Sequence, residues 1–218
     1  MAALSPSCSE FIVRSPSNVR VFQSRVRIKD WMLRLPGVDE VRPARCPCCD
    51  APSRPMSQAI VVQGHGLRDR QIRGPLVPGG PPMEVVVQAR RYRCTACHAV
   101  VLVVPRGVTW RRLYSLHAIA WALARMGFDK ATTRKVRGEL SPAQHIGVAA
   151  AERWVTAIRW LDARRQGLLF PSLGIARADT PRRVLAERTA MQLVAQARPG
   201  HESESLCHRA WHGAAQAA

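Results

Sequence analysis

Two cysteine pairs carry the clearest chemistry in this 218-residue sequence. Cys46-Pro47-Cys48-Cys49 and Cys94-Thr95-Ala96-Cys97 each place two thiols three residues apart, with Cys48 an extra thiol inside the first pair. Two CxxC units far apart suit a tetrahedral Zn²⁺ ion, which accepts four thiolates. The second unit continues into His98, so Cys94-Thr-Ala-Cys97-His98 also fits the pattern of covalent haem attachment. Haem uses Cys94, Cys97 and His98 and leaves the first pair without a purpose. Zinc uses both pairs. A redox CxxC is a further reading, but that motif opens a helix in a βαβ setting, which this sequence does not show. Zn²⁺ in a structural role is the expected cofactor.

The pairs are separated by 44 residues. The cost of closing such a loop rises only with the logarithm of its length, so the gap is tolerable if the chain between folds into strands. Its pattern is that of strands. Ala59–Gln63 is short and β-branched, Gly64-His65-Gly66 interrupts, and Leu67–Arg73 can form a second strand. "GPLVPGGPP" over Gly74–Pro82 is a turn. Met83–Arg93 then alternates, with Val85, Val87 and Ala89 on one face and Glu84, Gln88 and Arg90 on the other. "AVVLVVP" follows Cys97, which puts the second CxxC at the tip of a hairpin.

From Tyr114 the period becomes helical. Ser115 is an N-cap candidate ahead of a stripe of Leu116, Ile119, Ala120 and Leu123, and Gly127 ends the helix. A second helix is expected near Asp129, another N-cap candidate, turning Val136 and Leu140 inward. A third, from about Val148, turns Ala151, Trp154, Val155 and Ile158 inward and spreads Arg153, Arg159, Arg164 and Arg165 around it. Three helices with a glycine turn and a basic third member fit a helix-turn-helix.

The chain holds 33 basic and 15 acidic residues, net +18, and all but three of the basic ones are arginine. Residues 1–41 and 171–218 are each +2, while 42–110 and 111–170 are each +7. The charge therefore sits on the segments that carry the motifs, and a compact basic region attracts polyanions, nucleic acid foremost. The start of the chain lacks the basic-then-apolar pattern of a signal peptide, and no apolar run reaches membrane-spanning length. A cytoplasmic protein with reduced cysteines and no membrane association is expected.

"CPCCDAPSRP", "GHGLRDRQIRGP" and "RRYRCTACHAVVLVVPRGVTWRRLYS", followed by a helix-turn-helix pattern, resemble the N-terminal region of bacterial insertion-sequence transposases. The resemblance covers about residues 45–165 and extends to small stand-alone bacterial proteins that keep only that region. It implies Cys46, Cys49, Cys94 and Cys97 as ligands and DNA binding as the activity. Transposases of that type continue into a domain whose spaced carboxylates hold two metal ions. Here only Asp179, Glu187, Glu202 and Glu204 follow Asp162, with no matching pattern. No enzyme is expected.

The expected fold is α+β, a small antiparallel β zinc ribbon followed by an α-helical helix-turn-helix bundle with additional C-terminal helices. Residues 1–41 form an N-terminal extension packing on the ribbon, 42–110 the ribbon, 111–170 the helix-turn-helix, and 171–218 a C-terminal helical appendage able to mediate a homodimer. Arg68, Arg70, Arg90, Arg91 and Arg93 are candidates for phosphates of double-stranded DNA, joined by Arg134, Arg137, Gln144, His145, Arg153 and Arg159 on the helices. A zinc-ribbon module for protein or RNA is the alternative, and a truncated transposase subunit or a thiol oxidoreductase comes behind it. "CHRAWH" also gathers Cys207, His208 and His212, a weak second metal pattern.

Overall fold

The computed structural model describes residues 19–109, 112–142 and 154–217. The valine-rich run after the second CxxC becomes β4 (Val100–Arg106), in which Val101 to Pro105 are all buried. A strand buried without alternation is one covered on both faces. It pairs antiparallel with β3 (Glu84–Cys94), and β2 (Val62–Arg73) pairs antiparallel with β3 in turn. On its other side lies β1 (Val19–Arg27), parallel, with Val19 to Gln23 facing Val100 to Val104. The sheet is thus four-stranded and mixed, in the order β1-β4-β3-β2. The expected antiparallel ribbon is only part of it, because residues 19–27 are an edge strand rather than an extension. Helix α1 (Ile28–Leu33) follows directly and buries Ile28 and Trp31.

Gly64-His65-Gly66 does not end a strand. It sits inside β2, where the register against β3 slips between Gly64 and Leu67. Gly66 has φ of 85°, a conformation a glycine takes at little cost, so the triplet makes a bulge and the ladder resumes.

Helix α2 (Leu116–Gly127) begins as expected, with Ser115 Oγ accepting from the Ala118 N–H at 3.1 Å. Leu116, Ile119, Ala120 and Leu123 are all buried. Helix α3 spans Thr133–Leu140 and is capped by Thr132, whose Oγ1 accepts from the Lys135 N–H at 3.3 Å. Asp129 is not the cap. Lys130 takes a left-handed φ of 55°, which keeps a helix from starting there, and Asp129 pairs with Arg125. Val136 and Leu140 point into the core as expected. Helix α4 (Val155–Arg165) buries Ala157, Trp160, Leu161 and Arg164, and leaves Val155 exposed.

A 3-10 turn at Pro171–Leu173 leads to α5 (Arg182–Ala195) and α6 (Leu206–Gly213). Both pack on α2, and so tightly that a Cβ on Gly127 would meet the Glu187 backbone and one on Gly213 would meet the Leu193 carbonyl. Residues from Tyr114 to Ala217 share one apolar core. The segment expected as an appendage is therefore a structural part of the helical lobe.

The sheet has its own core, from Ile28 to Val108. The two lobes meet through backbone bonds, Arg73 N–H to Leu113 O at 2.7 Å and Leu116 N–H to Gly107 O at 2.8 Å. Arg106 adds bonds to Ala215 O and to Gln216 Oε1. Among the described residues no helix is long and apolar enough to cross a membrane.

Candidate metal centre

Both cysteine pairs fold into the same small loop. Cys46 N–H donates to Ala51 O and Asp50 N–H to Cys46 O, each at 2.8 Å; Cys94 N–H donates to Ala99 O at 3.0 Å and His98 N–H to Cys94 O at 2.9 Å. The residue after the second cysteine is left-handed in both, Asp50 with φ of 58° and His98 with φ of 57°. Asp, Asn and His tolerate that region better than most side chains. His98 therefore completes a turn, and it is not among the residues that could share an ion.

Cys94 ends β3 and Cys97 precedes β4, so the second loop is a hairpin tip, as the spacing predicts. The first loop lies in residues 34–61, which hold no regular element. Their anchors on the sheet are side chains reaching backbone carbonyls. Tyr92 Oη donates to Val38 O at 2.6 Å and Arg90 Nε to Pro36 O at 2.8 Å. Arg42 bonds Val62 O on β2, and within the segment itself Ser53 Oγ donates to Pro43 O at 2.5 Å.

These contacts bring the first loop over the second. Cys46 Sγ lies 3.7 Å from Cys97 Sγ, and Cys49 Sγ lies 3.8 Å from Cys94 Sγ. All four sulfurs fall within 4.8 Å of one another. Sulfurs at about 2.3 Å from one ion, on tetrahedral corners, stand about 3.8 Å apart. Two edges already have that length. Separations near 3.7 Å also exceed any disulfide, and the cysteines are free. Cys48 is exposed and outside the cluster. The four cysteines can thus hold one metal ion, which answers which thiols of the first loop belong to the site.

Burial pushes the Cys46 and Cys97 thiols up, helped by the neighbouring thiols. Burial acts on Cys94 the same way, but the N–H groups of Cys97 and Ala96 together with the Cys46 and Cys97 thiols outweigh it and hold Cys94 below the usual thiol range. Four thiolates this close would repel one another, and a divalent cation removes that conflict.

The expected arginines divide into two groups. By register, Arg68 stands beside Ala89 and Arg70 beside Val87, on the face that also carries Arg91 and Arg93; Arg90 is on the opposite face with Tyr92. Arg68 and Arg93 are exposed and Arg91 is half-buried. Arg70 is turned inward, donating to Thr109 O at 2.8 Å and Arg112 O at 3.0 Å, and burial lowers its pKa. Arg90 is committed to Pro36 O. On the helices, Arg134 and Arg159 are exposed and Arg137 is half-buried. Gln144, His145 and Arg153 lie outside the described residues. Arg164 is almost wholly buried and serves Gly174 O, Leu173 O and Gln192 Oε1.

The C-terminal group regroups. Cys207 is buried with its thiol on Asp129 Oδ2 at 3.5 Å, and His208 bonds Ser205. His212 instead meets His201 and Glu204. The only mark of this grouping in the sequence is the His-x-x-Glu spacing of His201 and Glu204.

Comparison of the chain with family models, curated proteins and solved structures finds no match.

Proposed function

We propose that this chain is a cytoplasmic DNA-binding protein of transposase-derived type, combining a zinc-ribbon-like sheet with a helix-turn-helix. The observation that carries the reading is the four-sulfur cluster with an arginine-bearing sheet face beside it. The ion is Zn²⁺, which tetrahedral thiolate sets favour, and its role is structural, since four protein ligands leave no position for a substrate. Arg68, Arg91 and Arg93 contact phosphates from the sheet, and Arg134 and Arg159 extend the positive surface onto α3 and α4. Arg70 and Arg90 support the scaffold and take no part in phosphate contact.

Anisotropy of a labelled DNA duplex across a salt series tests this. Each phosphate-contacting arginine adds about one to the slope of log affinity against log salt. Arg68→Ala with Arg93→Ala should weaken binding and reduce the slope by about two. An affinity indifferent to salt would refute the phosphate contacts, and a protein partner recovered after nuclease treatment would favour an interaction module instead.

A further inference from the structure

His201 and Glu204 lie just ahead of α6, and His212 returns from the far end of that helix to meet them. Glu204 bridges one nitrogen of each imidazole, with Oε1 at 2.8 Å from His201 Nδ1 and Oε2 at 3.2 Å from His212 Nε2. The two rings stack, centroids 3.8 Å apart and planes 11° from parallel. The three residues can each offer a ligand atom within 4.8 Å of the others. Glu204 Oε2 is shut off from solvent and accepts no hydrogen bond, although His212 Nε2 is its neighbour. The other oxygen, Oε1, is paired with His201, which leaves Oε2 as the acceptor free for a cation. Imidazole lone pairs lie in the ring plane, so a turn of one ring out of the stack is what would bring both nitrogens and the carboxylate onto one ion.

Beside the cluster lies a cavity of about 170 Å³, to which His201 and His212 contribute walls. Arg27, Arg106, Arg198 and His117 complete much of the lining, and no carboxylate is among the lining residues. Part of this positive charge is already committed, Arg27 to Asp30 and Arg106 to Ala215 O and Gln216 Oε1. Two imidazoles and a carboxylate are a ligand set for zinc-class ions, and three protein ligands leave a coordination position open.

We propose that His201, Glu204 and His212 bind a second divalent transition-metal ion, separate from the four-thiol site, with an open coordination position facing the arginine-lined cavity. This site differs from the first in kind. Four sulfurs enclose an ion, whereas three ligands at the edge of a cavity present one. The positive lining makes an anion the natural exchangeable ligand at the open position.

Cobalt titration of the metal-free full chain separates the two sites by their spectra. Thiolate ligation gives intense sulfur-to-metal charge-transfer bands, and nitrogen and oxygen ligation does not. The wild-type protein should take up two equivalents of Co²⁺, the second adding only weak bands. His212→Ala and the conservative Glu204→Gln should each take up one equivalent, with the thiolate bands unchanged and the far-ultraviolet circular dichroism of the helical lobe retained as proof that the fold persists. Uptake of a single equivalent by the wild-type chain would overturn the proposal and leave Glu204 as a hydrogen-bonding clamp between two histidines. A second equivalent that survives both substitutions would overturn it equally, by placing the ion elsewhere.

Discussion

Leu116, Ile119, Leu123, Leu185 and Leu193 meet inside the helical lobe, each almost completely buried, and they come from helices that begin and end at recognisable residues. The first cysteine loop of the sheet lobe has no comparable means. Residues 34–61 form no helix or strand, and Met56 and Val38 are exposed. What holds them is a handful of bonds to backbone carbonyls and the convergence of Cys46 and Cys49 on Cys94 and Cys97. Both lobes have a buried apolar core, but this loop reaches the sheet's core with few side chains, Val41 among them, and is held in large part by the four-sulfur cluster. A segment that buries little apolar surface needs such a staple, because ordering its backbone costs about 1–2 kcal/mol per residue.

The comparison breaks most visibly if the metal is removed. Binding by structural zinc sites is worth on the order of 10 kcal/mol, and that energy is folding energy where the site forms only on folding. Chelation should therefore raise amide exchange across residues 34–61 and 94–99 while leaving α2, α5 and α6 protected. Uniform loss of protection would mean the lobes fold as one unit. The converse change is Leu123→Ala, which removes a fully buried side chain and should cost about 2–5 kcal/mol in the helical lobe. Metal content, measured by colorimetric zinc release, should not move. If the ion is lost with Leu123, the two cores are coupled more strongly than their separate packing implies.

A finer distinction lies between two arginines two residues apart. Arg70→Ala leaves the carbonyls of Thr109 and Arg112 without their donor, and a lost buried hydrogen bond costs about 1–3 kcal/mol. Arg68→Ala touches an exposed side chain and should change stability by less than about 0.5 kcal/mol. Denaturant melts of the pair would show it. Equal effects would remove the division between scaffold arginines and surface arginines.

That division is also where the sequence was hardest to read. Arg68 and Arg70 look alike along a strand, and only the carbonyls of Thr109 and Arg112 at Arg70 tell them apart. The same holds for Arg164, read as one of several charges around an amphipathic helix and found feeding the backbone at Leu173 and Gly174. Local signals fared better. Ser115, the Leu116-Ile119-Leu123 stripe, and the inward Val136 and Leu140 follow from capping and period within a few residues. The matched spacing of the cysteine pairs likewise located the four-sulfur cluster, since the loop geometry is written into each pair. The parallel pairing of β1 with β4 has no such local mark, because a strand's partner across a long crossover is chosen by the whole sheet. His201 and Glu204 were missed because their third member stands eight residues beyond Glu204, brought back only by the turn of α6.

Native thiol labelling, resolved residue by residue by mass spectrometry with and without chelator, tests the shared four-thiol ion most directly. Cys48, exposed and outside the cluster, serves as the internal standard. With the ion in place, Cys46, Cys49, Cys94 and Cys97 should all resist alkylation while Cys48 reacts, and chelation should release all four together. Any one of the four reacting as fast as Cys48 in the metal-bound protein would contradict the account.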